Sequence, residues 1–122
     1  KDIQEEYGMA YLFVSHDLRV IRYVSDVVAV MYLGKLMEVS PAEELFVRPL
    51  HPYTRSLLAA VPMIGGAPRE KIVLRGEIPS PLAPPSGCRF HTRCFMAEKI
   101  CEEECPPFRE SSPGRRTACH FV

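Results

Sequence analysis

Five cysteines lie close together near the end of this 122-residue sequence, at positions 88, 94, 101, 105 and 119. Grouped thiols can form disulfides, bind zinc or hold an iron–sulfur cluster. The odd number of cysteines disfavours a disulfide framework. The segment around them is rich in proline and poor in large apolar residues. We therefore expect a metal site, rather than a hydrophobic core, to hold this segment together.

Two kinds of metal site are compatible with the cysteine spacing. Zinc would take cysteines together with His91 or His120, although the short C-x2-4-C pairs typical of zinc sites are missing. A four-iron cluster accepts wider spacings between its four thiolates. Thiolates are soft ligands for both metals, so the spacing alone leaves zinc and iron–sulfur open. It disfavours a third reading, in which the thiols are merely buried.

A histidine follows a continuous apolar run. Residues 9–14 (MAYLFV) predict a strand buried on both faces, as in a parallel sheet. His16 comes two residues later, and in open α/β sheets the carboxyl ends of strands line the ligand crevice. His16 is therefore a candidate to hydrogen-bond a ligand phosphate or orient a water. A structural role at the start of the next helix fits its position equally well, and His51 is expected to be a loop or helix-start residue.

The first half of the sequence predicts helices and strands with short connections. Local patterns indicate a helix at residues 1–7, a short helix after Asp17, a strand at 27–33, a turn at Gly34-Lys35 and a returning strand at 36–39. Ser40 as cap, with Pro41 and Glu43, is typical of a helix start, and this helix should end near residues 47–49. Another helix should begin near Pro52 and stop before Pro62.

The second half is richer in proline and less regular. Residues 63–69 are a plausible linker and residues 71–78 predict one more strand. Residues 79–85 contain four prolines and should be extended. The remainder, residues 87–122, shows little periodicity and predicts an irregular cysteine-bearing tail.

Charge and hydropathy exclude two broad classes of partner. Lys plus Arg and Asp plus Glu each total 15, so the net charge is zero, which argues against nucleic acid as a partner. No apolar run approaches the roughly 20 residues that span a bilayer.

Four segments resemble one protein family. Residues 11–18 (YLFVSHDL) resemble the switch-histidine strand of ATP-binding cassette (ABC) ATPases, and residues 27–38 resemble the strand pair that follows it. Residues 50–58 (LHPYTRSLL) and the cysteine tail resemble the oligopeptide and dipeptide importer branch. The resemblance implies an α/β fold. Residues 1–48 would be the C-terminal part of an ABC-type P-loop ATPase domain, with a short sheet plus helices, and residues 49–122 would end in the irregular Cys-rich region at 87–122.

The resemblance also implies an activity. The protein would belong to the ATP-hydrolysing subunit of an oligopeptide or dipeptide importer and would use ATP and magnesium, with His16 contacting the γ-phosphate. The sequence starts without Met and contains no G-x-x-x-x-G-K-[ST] loop. We therefore expect it to be a piece of a longer chain and to be inactive alone, because no backbone cradle grips the nucleotide phosphates.

The same resemblance implies a cofactor and partners. A 4Fe-4S cluster, with zinc as the alternative, would be held by Cys88, Cys94, Cys101 and Cys119, and Cys105 would be the spare thiol. The partners would be transmembrane permease subunits and a second ATPase subunit, at the cytoplasmic face of the plasma membrane.

One alternative from another class stays open. The chain could be a stand-alone interaction module held together by zinc or an iron–sulfur cluster. In such a module His16 would have a structural role and the apolar strands would only form the hydrophobic core. On the ATPase reading, residues 1–40 lack their neighbours in this chain. An orphaned apolar face tends to self-associate, so we expect the isolated chain to dimerise or form larger assemblies.

Overall fold

The computed structural model of the chain describes residues 2–60 and 72–122. The predicted linker at residues 63–69 lies outside these ranges. The elements in chain order are α1 (Asp2–Tyr7), α2 (Leu18–Val24), β1 (Val27–Tyr32), β2 (Lys35–Pro41), α3 (Ala42–Val47), α4 (Pro52–Ala59), a 3-10 helix (His91–Arg93), α5 (Lys99–Glu103), β3 (Arg109–Ser112) and β4 (Arg115–Thr117). The strands form one antiparallel sheet in the order β1-β2-β4-β3. Among the described residues, no helix is both long and apolar enough to cross a bilayer.

The predicted hairpin of β1 and β2 forms, but its turn lies one residue earlier than the predicted Gly34-Lys35, and Lys35 is already part of β2. Strand β1 buries Val28, Val30 and Tyr32 and exposes the residues between them, because successive side chains of a strand point to opposite faces. Leu33 and Gly34 connect the strands with φ angles of 44° and 74°. Two central residues with positive φ are what a type I′ hairpin turn requires.

The predicted helices α1, α2, α3 and α4 are all present. Asp17 caps α2, since its carboxylate accepts hydrogen bonds from the N–H groups of Arg19 and Val20 at 2.9 and 3.4 Å. His51 is the N-cap of α4, as expected for a helix-start residue, and Pro52 occupies the first turn.

The expected capping of α3 by Ser40 is wrong. Ser40 pairs with Val28, which extends β2 as far as Pro41, so Pro41 takes the N-cap position. The Ser40 hydroxyl is buried and has no hydrogen-bond partner in the described part of the chain. The first amide of α3, that of Ala42, donates instead to the carbonyl of Asp26 at 2.9 Å.

Residues 9–14 do not form the predicted buried parallel strand. They have no regular secondary structure, and Leu12 and Val14 are 94% and 87% exposed. A strand buried on both faces needs paired strands beside it and packed layers on both sides. The sheet here is antiparallel and its first strand begins at Val27. Within residues 2–60 and 72–122, nothing pairs with this segment as a strand.

The predicted strand at residues 71–78 is also wrong for its described part. Residues 72–78 contain no strand, and residue 71 lies outside the described ranges. Val73 and Ile78 are 70% and 68% exposed, whereas Leu74 packs against the core. Alternation of apolar residues is not sufficient for a strand when no sheet edge is available to pair with it. Residues 79–85 are irregular, with a turn at 81–82.

The tail is more regular than the sequence predicts. Residues 87–122 contain the 3-10 helix, α5, β3 and β4. The two strands read RESS and RRT, without apolar alternation. Strand β4 forms because it pairs with β2, at Glu38–Thr117 and Val39–Arg116, and this long-range pairing has no local sequence signal.

Within the described residues, two apolar clusters form the core. The first joins β1, α3 and α4 through Val28, Val30, Ala42, Leu45, Phe46 and Leu58. The second joins the hairpin to the tail through Tyr32, Met37, Cys88, Phe90 and Cys101. Tyr53 packs against both clusters, and its ring lies 4.8 Å from Tyr32 and 5.2 Å from Phe90 between centroids. The α4 segment therefore anchors the cysteine tail to the hairpin. The expected division at residue 48 stays a prediction.

Candidate metal centre

Four of the five cysteines line one cavity. They are the four implied by the resemblance: Cys88, Cys94, Cys101 and Cys119. The rest of the lining is histidine, phenylalanine, proline and methionine. Cys105 is exposed and is not among the lining residues; it borders a neighbouring groove that Cys88 also lines. All five thiols are free, so four soft donors face one apolar space.

Backbone contacts draw the first and third cysteines together. The N–H of Cys88 donates to the carbonyl of Cys101 at 2.8 Å. Gly87 makes this approach feasible, since it has a φ of 61° and a Cβ there would lie 2.4 Å from the Cys101 carbonyl oxygen. The 3-10 helix then returns the chain to Cys94, whose N–H donates to the carbonyl of His91 at 3.2 Å.

The fourth cysteine arrives from the end of β4. The N–H of Ala118 donates to the carbonyl of Met37 at 2.9 Å, and the Thr117 hydroxyl donates to the same carbonyl at 2.9 Å. The chain is therefore held against β2 immediately before Cys119. Cys119 enters the cavity from the sheet, whereas the other three cysteines enter from the loop between residues 87 and 103.

The N–H of Met96, two residues further along the chain, donates to Cys94 Sγ at 3.4 Å. The backbone N–H groups of Phe90 and Phe121 act to lower the pKa of Cys88 and of Cys119. Hydrogen bonds to sulfur stabilise thiolates, and they commonly surround metal-bound cysteines.

Burial outweighs those hydrogen bonds in the chain without metal. Burial raises the pKa of Cys88 and of Cys119, and it raises the pKa of Cys94 to about 11. These thiols are therefore neutral near pH 7. A metal would have to displace their protons, so its binding would strengthen as pH rises.

The described side chains are not arranged as a site for a single metal ion. In residues 2–60 and 72–122, no group of three or more His, Cys, Asp or Glu side chains is placed to hold one. Zinc at a Zn–S distance of about 2.3 Å needs its four sulfurs tightly gathered. The four cavity thiols suit a metal by donor type alone, because thiolates are soft ligands for both zinc and iron.

Three histidines also line this cavity, and each has a backbone partner. His91 Nδ1 lies 2.8 Å from the carbonyl oxygen of Cys88, and His120 Nε2 lies 3.0 Å from that of Glu104. His51 Nδ1 accepts the Tyr53 N–H at 3.0 Å, so that ring nitrogen is occupied.

Burial also keeps the His51 side chain in its neutral form. Its side chain is almost fully buried, and this burial lowers its pKa to about 4, against the opposing effect of the Ala118 carbonyl. A neutral ring with Nδ1 as acceptor must carry its proton on Nε2. The hydrogen bond from the Tyr53 N–H therefore fixes one tautomer.

A buried ion pair holds the backbone beside His51. The Glu38 carboxylate, fully buried, accepts the N–H groups of Leu50 and His51 at 3.0 and 2.9 Å. Arg115 Nη2 donates to the same carboxylate at 3.3 Å. Sequence reasoning missed this network. The available signal was a glutamate in an otherwise apolar strand, since buried carboxylates require partners.

His16 lies apart from the cysteine cavity. It is exposed, in the bend between residues 9–15 and α2, and it is not among the residues that line the cavity. Ser15 Oγ accepts the N–H of Asp17 at 3.0 Å, and Asp17 caps α2. The local turn therefore presents the His16 side chain to solvent in this chain. Its role stays a prediction.

Comparison with known families now defines the class of protein. The chain belongs to the oligopeptide/dipeptide transporter C-terminal region family, whose model matches residues 37–101.

Three relatives match almost the whole chain. It is 54% identical to the oligopeptide transport ATP-binding protein AppF of Bacillus subtilis (strain 168), over 99% of this chain and 38% of that protein. It is 49% identical to the probable peptide ABC transporter ATP-binding protein y4tS of Sinorhizobium fredii, over 98% of this chain and 34% of that protein. It is 46% identical to the putative oligopeptide transport ATP-binding protein YkfD of Bacillus subtilis (strain 168), over 99% of this chain and 38% of that protein. The chain spans little more than a third of these relatives.

Proposed function

We propose that this chain is the C-terminal part of the ATP-hydrolysing subunit of an ABC importer for oligopeptides or dipeptides. The observation that carries the proposal is the 54% identity, across 99% of the chain, to a protein named as an oligopeptide transport ATP-binding protein. The switch-like residues 11–18 agree with it. The sequence lacks a P-loop, so nucleotide binding would depend on residues outside this chain.

In the complete subunit, His16 would hydrogen-bond the γ-phosphate and help to position the attacking water. Negative charge shifts over the phosphoryl oxygens as the transition state forms, and a fixed donor there lowers the barrier. The exposure of His16 supports this proposal, because a residue that meets a nucleotide bound by other segments must be accessible from this one.

The tail would hold a 4Fe-4S cluster through Cys88, Cys94, Cys101 and Cys119, with zinc as the alternative metal. The convergence of these thiols on one cavity supports the ligand set, and so does the exposed position of Cys105. When bound, such a cluster supplies four metal–thiolate bonds whose formation is coupled to folding of the segment. The chain's own residues contribute the apolar enclosure and the Met96 N–H that donates to Cys94.

The proposed partners follow from the same assignment. The complete subunit would bind transmembrane permease subunits at the cytoplasmic face of the plasma membrane. It would also pair with a second ATPase subunit, so that ATP binding and hydrolysis drive transport.

The test of this function is ATP hydrolysis by the full-length protein that carries this chain. Reconstituted with its permease subunits in vesicles, it should hydrolyse ATP faster when an oligopeptide is supplied. Residues 1–122 alone should hydrolyse none, because they lack the phosphate-binding loop. If the full-length protein neither binds nor hydrolyses ATP but holds metal, the stand-alone metal-stapled module replaces the ATPase assignment.

The isolated chain should self-associate through its N-terminal segment. Leu12, Phe13 and Val14 are 94%, 53% and 87% exposed in one continuous run, and exposed apolar surface of this kind favours association with a second copy. Sedimentation velocity at high concentration should therefore show dimers or larger species. Leu12→Glu should shift the chain towards monomer, whereas Leu82→Glu, at a residue 95% exposed in the proline-rich segment 79–85, should not. A monomeric wild type would contradict the expectation.

A further inference from the structure

The sheet fixes the chain on one side of Cys119. The N–H of Ala118 and the hydroxyl of Thr117 both donate to the carbonyl of Met37, each at 2.9 Å. Within the described residues, strand pairing of β4 ends at Thr117. The sheet therefore positions the peptide before Cys119 but not the residue that follows it.

The side chain of His120 makes a contact on the other side. Its Nε2 lies 3.0 Å from the carbonyl oxygen of Glu104. A carbonyl oxygen only accepts hydrogen bonds, so Nε2 must carry a proton and donate it. Glu104 is the C-cap of α5, with its N–H bonded to the carbonyl of Ile100 at 2.8 Å, and Cys101 lies in this helix. The ring of His120 therefore joins the chain beside Cys119 to the helix that carries Cys101.

This contact brings together two cavity cysteines that are far apart in sequence. Cys101 and Cys119 both line the cavity, and His120 lines it as well. Ligands that are held close before a metal binds lose less conformational entropy when it does. A side-chain hydrogen bond between the two segments thus prepares the site while it is still without metal.

We propose that His120 is a positioning residue for Cys119: its ring, bound to the Glu104 carbonyl, keeps the Cys119 thiol in the cavity beside Cys101. This inference rests on the proposed metal site, because it assigns to the histidine next to the fourth cysteine a role in assembling that site. It also decides between two roles for His120, which the sequence leaves open as a zinc ligand. While Nε2 donates to Glu104 it is not available to a metal, so the contact favours positioning over ligation.

Two substitutions at position 120 separate these roles. His120→Phe keeps a planar ring, and with it the contact to Phe121 at 6.3 Å between ring centroids, but loses the N–H donor. His120→Gln loses the ring and keeps an N–H donor near the position of Nε2. Neither new side chain replaces an imidazole as a ligand for zinc or iron. A positioning role therefore predicts that only His120→Phe is defective, whereas a ligand role predicts that both variants are.

The first measurement is the rate at which iodoacetamide alkylates each thiol in the full-length protein after metal removal and reduction, followed by mass spectrometry. Cys88 is the internal reference, because it is 8% exposed like Cys119 and its N–H is bonded to the Cys101 carbonyl. Exposed Cys105 reports complete access of the reagent. In His120→Phe, we expect Cys119 to react about three- to tenfold faster with Cys88 unchanged, as for loss of one hydrogen bond. In His120→Gln, Cys119 should react at close to the wild-type rate.

The second measurement is the release of metal to a chelator from anaerobically purified protein. His120→Phe should release its iron or zinc faster than the wild type, and His120→Gln should release it at the wild-type rate. If both variants lose the metal while Cys119 keeps its wild-type alkylation rate, His120 is a ligand and the inference is overturned.

Two further results would also overturn the inference. One is a wild-type rate at Cys119 in His120→Phe, and the other is a joint increase at Cys88 and Cys119 that follows lost thermal stability. If the wild-type protein carries neither iron nor zinc, the proposed metal site fails. The alkylation rates still decide whether His120 positions Cys119, so the two failures are distinguishable.

Discussion

Replacing His16 by alanine in the full-length protein should abolish most ATP hydrolysis. Loss of a single preorganised donor at developing charge typically lowers kcat by about 10²- to 10³-fold, and we expect an effect of at least about a hundredfold. The Kd for ATP should change little, because the phosphates are gripped mainly by a P-loop that this segment does not contain. Folding should also be retained, since the His16 side chain is exposed.

Steady-state hydrolysis and binding of a fluorescent ATP analogue provide the two measurements. Arg19→Ala is the matched control in the same segment, because Arg19 is exposed and its ion pair with Asp17, at 3.6 Å, is of the kind that contributes little. It should retain near-normal activity. A His16→Ala variant that hydrolyses ATP at close to the wild-type rate would refute the switch role and leave His16 as a residue of the turn before α2.

Single Cys→Ser substitutions should separate the four cysteines that bind the metal from the one that does not. Serine replaces a soft thiolate by a hydroxyl that is a poor ligand for iron or zinc at neutral pH. Substitution at Cys88, Cys94, Cys101 or Cys119 should therefore abolish or strongly reduce the metal content. Cys105→Ser should retain full content, since the Cys105 thiol is exposed and lies outside the cavity.

Anaerobic purification of the full-length variants, with analysis of iron, acid-labile sulfide, zinc and visible absorption, tests this division. Cys105→Ser is the built-in control, because it removes a thiol from the same tail without touching the cavity. Wild-type protein with zinc and no sulfide would exclude the iron–sulfur cluster and keep the thiolate site. Loss of metal in Cys105→Ser, together with retention in Cys119→Ser, would show that the ligand set is wrong.

The local sequence pattern predicted the structure correctly where residues that are neighbours in sequence are also neighbours in space. The alternation of Val28, Val30 and Tyr32 and the turn at Gly34 predicted the hairpin, and Asp17 and Pro52 marked helix starts. These signals succeed because strand alternation, positive φ and helix capping each involve only a few consecutive residues. The metal site expected from the cysteine group stays a prediction, and its set of four ligands was implied by the family resemblance.

The local sequence pattern gave the wrong secondary structure where pairing with a segment distant in sequence decides whether a strand or a cap forms. Residues 9–14 are apolar enough for a buried strand, yet they are exposed in this chain because a strand needs pairing partners that its own sequence cannot provide. Ser40 does not cap α3, because it pairs with Val28 and so belongs to β2. Polar β4 is a strand because it pairs with β2 on one side and β3 on the other.

The cysteine cavity combines both kinds of information. The sequence by itself determined that soft ligands are present and that His51 begins a helix. Only the tertiary structure decided that four thiols line one cavity, that Cys105 is not among its lining residues, and that His51 lines the same cavity. The physical reason is that a side chain's type fixes what it can bind, whereas its partners depend on how segments dozens of residues apart pack, here α4, β2 and β4 around the buried Glu38 carboxylate.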